Sequence, residues 1–253
     1  MPSLPASPVP APLLSLPPHL RAALPLQGLT VLAVEDSRFA SDALRLMCQR
    51  AGARLRRAET LEVARAHLRT YRPDVVIVDL GLPDGRGEAL IRDLVLSARR
   101  PAVILGTSGA EGGRAAALAA GADGFLDKPF ESVAAFCLAL RRHLPDLDVL
   151  PPAGADDRVE PDPLALQDDL SRAAALLATP GATGRYVAGF LAGIAGQDHD
   201  TALAAAASAT TLPDRSPDRA EGDLSALRLL ISERLAVPAA FISRRKTAGD
   251  RGT

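Results

Sequence analysis

P-D-V-V-I-V-D-L-G-L-P-D-G-R-G, residues 73–87, decides how this 253-residue chain folds. Four consecutive β-branched residues, Val75, Val76, Ile77 and Val78, lead to one carboxylate, Asp79, and a Pro/Gly-rich turn follows at once. A short apolar run bounded by turn signals is the pattern of a strand buried on both faces of a parallel sheet, which puts Asp79 at its carboxyl end. Ligands of open α/β sheets bind at that edge. A carboxylate there needs a cation or hydrogen-bond donors, and the ends of other apolar runs supply them.

Glu35 and Asp36 close the run 29–34, Thr107 and Ser108 follow the run 102–105, and Lys128 follows 124–127. Helical patterns lie between: 38–51 with Ser37 as cap, Phe39, Ala43, Leu46 and Met47 on one face and Gly52 as stop; 61–69 capped by Thr60; then 88–97, 114–120 and 132–144. A more exposed strand, 54–58, carries Arg54, Arg56 and Arg57. Strand and helix thus alternate five times, the signature of an α/β, doubly wound five-stranded parallel sheet with right-handed crossovers. Strands one and three are neighbours where the winding reverses, so Glu35, Asp36 and Asp79 converge on one crevice. Three such anions repel unless a divalent cation sits among them. Oxygen ligands without His or Cys favour a hard ion, and Mg²⁺ suits few protein oxygens plus a phosphoryl group.

The remainder divides by composition. Residues 1–27 read as a Pro-rich disordered arm, 145–163 as a Pro/acidic linker, 164–242 as a small all-α bundle (helices 164–178, 186–196, 200–208 and 223–236, with a loop over 213–222), and 243–253 as a flexible tail. Aromatic content is 3% with no Trp, so the core must be Ala, Leu and Val, and Cys48 and Cys137 read as core filling. A net charge of −1 makes no general case for nucleic acid or an anionic membrane. No stretch has the length of a membrane span or the layout of a signal peptide, so the expectation is a cytoplasmic protein. The bundle has no recognition helix rich in base-reading residues, so DNA binding is not expected. His199, between Asp198 and Asp200, has no ligand cluster beside it and reads as structural.

V-E-D-S (34–37), the stretch 75–87, G-T-S-G (106–109) and G-F-L-D-K-P-F (124–130), in that order, resemble the CheY-like receiver domain of two-component response regulators. The resemblance covers 28–144 and implies a flavodoxin-like strand order, 2-1-3-4-5. It implies that Asp79 takes a phosphoryl group from a histidine kinase or phosphotransfer protein. Mg²⁺ would sit on Asp36 directly, on Glu35 through water, on Asp79 and on the backbone carbonyl of Gly81. Lys128 would pair with Asp79 at rest, in a Lys-Pro peptide expected to be cis, and Phe125 takes the place of the aromatic switch residue. The switch hydroxyl is Thr107, or alternatively Ser108: Thr107 lies 28 residues after Asp79 and 21 before Lys128, one fewer than the family's usual second spacing. Such a domain catalyses its own phosphorylation and dephosphorylation and is not a conventional enzyme. The output partner is an unknown protein, with homodimerisation a further expectation. The alternative is a non-phosphorylated pseudo-receiver scaffold or a phosphate sink. A haloacid-dehalogenase-type phosphatase would want a second Asp where Gly81 stands.

Overall fold

The computed structural model describes residues 24–110, 112–130, 132–144, 158–179, 184–210 and 217–237. Most of the expected arm, the first part of the linker and the tail lie outside the described residues.

Five strands, β1 (Thr30–Val34), β2 (Arg54–Ala58), β3 (Val75–Asp79), β4 (Val103–Thr107) and β5 (Gly124–Phe125), pair in parallel in the order β2-β1-β3-β4-β5. This is the doubly wound order expected from the sequence. Every residue of β3 and β4 is buried, as β-branched runs covered on both faces require. β4 runs two residues beyond the expected 105, which brings Thr107 into the ladder opposite Asp79.

Helices α1 (Arg38–Ala51), α2 (Leu61–Thr70), α3 (Gly87–Leu96), α4 (Gly113–Ala119) and α5 (Val133–Arg141) cover the sheet. α1 starts where the Ser37 side chain accepts from the Ala40 N–H and stops at Gly52, whose φ of 86° is the left-handed region that glycine enters freely. One core joins α1 and α5 to the sheet and contains both cysteines; the other lies under α2, α3 and α4. A short hairpin, Gly81–Leu82 with Gly85–Arg86, follows β3. Its Asp84 accepts from the N–H groups of Leu61 (2.9 Å) and Glu62 (3.0 Å), capping α2 and tying the loop after β3 to that helix.

Two boundaries differ from expectation. The fold begins before residue 28: Leu26 is fully buried in the α1–α5 core, and its N–H donates to the Ala51 carbonyl at 2.8 Å. The linker is likewise packed at its end, where Val159 enters the same core and Arg158 bridges Ser132.

Beyond it stand α6 (Pro163–Ala178), α7 (Gly184–Asp198), α8 (Thr201–Ala209) and α9 (Pro217–Leu235). α9 begins inside the expected loop, since Pro217 is compatible with a first helical turn. The bundle core holds Leu170, Leu191, Ile194, Leu203, Leu227 and Ile231, and also Phe39 of α1. Phe39 therefore does not share the sheet-facing side of α1 with Ala43 and Met47: it is 1% exposed only because the bundle covers it. Among the described residues no helix is long and apolar enough to cross a membrane.

Candidate functional site

The site forms where β1, β3 and β4 end. Asp79 closes β3, with its Oδ1 accepting from the Gly81 N–H at 2.8 Å and its Oδ2 accepting from Lys128 Nζ at 2.5 Å. The hairpin that makes the first bond needs a glycine behind it, because a Cβ on Gly87 would lie 2.1 Å from the Asp79 carbonyl oxygen. Lys128, which precedes the cis peptide to Pro129, also reaches Glu35 Oε2 at 2.8 Å as an ion pair. Lys128 and Glu35 side chains are each 2% exposed, as is that of Asp36.

Burial of so much charge shows in the acid strengths. For Lys128 burial opposes the ammonium, but the adjacent Asp79 and Glu35 carboxylates outweigh it and hold the proton more firmly than usual. Burial lifts Glu35 well above the carboxylate range; Lys128 opposes the rise, while Asp79 and Asp36 add to it. Asp36 rises to about 6 by burial, with Tyr186 and Arg172 pulling the other way. Three acids thus share one buried ammonium, an excess of acidic groups over cations.

That excess is what a bound divalent cation would offset. The donor set is all oxygen, as Mg²⁺ requires, and Gly81 lines the same cleft as Glu35, Asp36 and Asp79. Among the described residues no three His, Cys, Asp or Glu side chains are grouped so as to hold a metal ion by themselves. Mg²⁺ sites that keep several waters and a phosphoryl oxygen need no such group. The residues fit the ion.

The two hydroxyls differ in environment. Thr107 is fully buried and its Oγ1 has no hydrogen-bond partner among the described residues, whereas Ser108 lines the cleft with its Oγ already accepting from the Ala110 N–H at 3.1 Å. Phe125 is half-buried at the edge of the α2–α4 core, with the Arg114 guanidinium 5.2 Å over its ring.

Sequence reasoning missed the other wall. The cleft, about 540 Å³, is lined from α7 by Tyr186, Gly189, Phe190 and Gly193. The Tyr186 hydroxyl donates to Asp36 Oδ2 and accepts from Arg172 Nη2 at 2.9 Å. Asp169 of α6 accepts from Ser37 Oγ (2.8 Å) and from the N–H groups of Arg38 and Phe39 (both 3.0 Å), so the bundle supports the start of α1. The only local signal is compositional: Arg172 is the one basic residue of α6, and Tyr186 is one of two tyrosines in the chain.

Residues 31–137 match the family model of the response regulator receiver domain. The chain is 43% identical over 116 residues to the KDP operon transcriptional regulatory protein KdpE of Escherichia coli (strain K12), covering 45% of the chain and 52% of the relative. It is 38% identical over 119 residues to the transcriptional regulatory protein PhoP of the same strain, covering 44% and 52%. A solved receiver domain of a sensor histidine kinase from Pseudomonas aeruginosa PAO1, with a magnesium ion coordinated in its active-site cleft, is 25% identical, covers 47% of this chain and 98% of that one, and gives a TM-score of 0.43. The chain spans about half the length of the curated relatives it matches. Residues 31–137 are a response regulator receiver domain. The family match ends before the four-helix region.

Proposed function

We propose that the chain is a cytoplasmic two-component response regulator in which Asp79 accepts a phosphoryl group from a histidine kinase or phosphotransfer protein, and which signals through protein–protein contacts. The observation that carries this reading is the buried Lys128 ammonium, held 2.5 Å from Asp79 and 2.8 Å from Glu35. An Asp79 oxygen would form the bond to phosphorus as the donor's phosphorus–nitrogen bond breaks and its electron pair leaves with the imidazole. Lys128 stands where it can transfer its hydrogen bond from the carboxylate to the incoming phosphoryl oxygens. The partnerless Thr107 hydroxyl, one strand away, supplies a second donor, which favours it over Ser108. Mg²⁺ on Asp36, Asp79 and the Gly81 carbonyl, with Glu35 behind a water, would neutralise charge on those oxygens. Movement of Thr107 toward the phosphoryl group would leave space on the side where Phe125 packs, coupling the site to the surface around α4 and β5.

KdpE and PhoP are named as transcriptional regulators, and a DNA-directed output is the second reading. The bundle spends Asp169, Arg172, Tyr186 and Gln197 on the receiver, which favours a protein-directed output. Incubation with acetyl phosphate and saturating Mg²⁺, read by intact mass, tests the phosphoacceptor. Wild type should gain one phosphoryl mass and Asp79→Asn none. Failure of both, with Mg²⁺ not binding, would leave a constitutive scaffold.

A further inference from the structure

α7 lies across the mouth of the site with one face, Tyr186, Phe190, Gly193 and Gln197, turned toward the receiver, the spacing of successive helical turns. The helix leaves little room for side chains at two glycines: a Cβ on Gly109 would lie 2.6 Å from Gly193 Cα, and one on Gly193 would lie 3.4 Å from Lys128 Nζ. At one end Gln197 Oε1 accepts from the Phe130 N–H at 2.8 Å. At the other the phenol of Tyr186 rests on Asp36 Oδ2. Arg172 reinforces it from α6, with Nη2 3.5 Å from the same oxygen and Nη1 donating to the Asp36 carbonyl at 3.1 Å. The pair is braced by Phe190, whose ring stacks on Tyr186 (centroids 6.0 Å apart) and lies 5.1 Å below the Arg172 guanidinium. A positive charge and a hydrogen-bond donor thus already occupy the acid a divalent ion needs.

We propose that Arg172 and Tyr186 form a latch that competes with Mg²⁺ for Asp36, so that metal binding and docking of α6 and α7 over the site oppose each other. The inference rests on the reading of Asp36 as a Mg²⁺ ligand. A guanidinium and a divalent cation on one buried carboxylate repel strongly where water is scarce, and the Tyr186 hydrogen bond would have to yield with it. Linkage makes the effect reciprocal: whatever affinity the latch takes from Mg²⁺, Mg²⁺ takes from the docked bundle by the same factor. Arg172 and Tyr186 are positioning residues in this scheme.

The test uses the full chain. Mg²⁺ binding is measured by calorimetry for wild type, the double variant Arg172→Gln/Tyr186→Phe, and Gly109→Ala, which pushes α7 away while leaving Arg172 and Tyr186 unsubstituted. Amide hydrogen exchange of α6 and α7 is followed with and without Mg²⁺. Both variants should bind Mg²⁺ about tenfold more tightly than wild type, within the roughly 5- to 150-fold range of such couplings. In wild type alone, Mg²⁺ should speed exchange in α6 and α7 by a similar factor. Equal or weaker binding in the variants, or exchange in wild type unmoved by Mg²⁺ that binds, overturns the latch and leaves the phosphoacceptor reading standing. Absence of Mg²⁺ binding and of phosphoryl uptake in every variant overturns both. If the double variant does not fold, Gly109→Ala and the wild-type exchange data decide.

Discussion

At the carboxyl edge of the sheet, Glu35 and Asp36 are nearly inaccessible and both are pushed above the ordinary carboxylate range by that burial. Asp200, at the start of α8 in the bundle, is instead pulled below it: burial is opposed and outweighed by Arg234, whose Nε donates at 2.8 Å, and by the N–H groups of the helix it caps. In the receiver, acids are held at a cost, close to one another and to one lysine. In the bundle an acid is held where it is comfortable, as a cap and a surface pair. The first arrangement stores a demand for positive charge; the second only supports a fold.

That contrast can be broken at four points. The largest effect is expected for Lys128→Ala, which leaves the buried acids without their cation and should lower stability by about 3 to 5 kcal/mol at neutral pH. Urea denaturation with and without Mg²⁺ measures it, and a loss that Mg²⁺ does not reduce would deny the cluster its affinity for the ion. Asp169→Ala leaves the Arg38 and Phe39 N–H groups and the Ser37 hydroxyl without their acceptor and should cost about 1 to 3 kcal/mol. Faster hydrogen exchange at Arg38, Phe39 and along α6 would locate the loss.

A smaller effect is carried by pH. Asp36 rises from 3.8 to about 6 in the fold, so its contribution to stability is present below pH 4 and is lost as pH rises through 6. Metal-free melting curves should show stability declining over that window, a decline flattened in Asp36→Asn. Asp200 has the opposite sign, its contribution being present above its ordinary value and lost as pH falls through a depressed one. Arg234→Gln should remove less than about 1 kcal/mol, since the pair is partly solvated. An effect as large as that of Lys128→Ala would erase the distinction between the two regions.

Legibility in the sequence followed the same division. Asp79, Asp36, Glu35, Lys128 and Thr107 each stand just after an apolar run, and a parallel sheet brings such strand ends to one edge whatever the intervening helices contain. Leu26 was hidden by the prolines around it, and Phe39 by a helix whose other face already satisfied the sheet. Arg172 and Tyr186 were hidden more deeply. Their partner, Asp36, is 136 and 150 residues away, and an Ala-rich helix of weak amphipathy gives no sign of which side it will lay on a neighbour.

By itself the sequence determined a doubly wound receiver sheet with its acids and lysine gathered at one edge, because strand period, turn chemistry and crossover handedness are local or topological rules. Only the tertiary structure decided that α6 and α7 close over that edge and set a phenol and a guanidinium on Asp36. The packing of one finished surface on another depends on shape and charge that neither segment carries in its own periodicity.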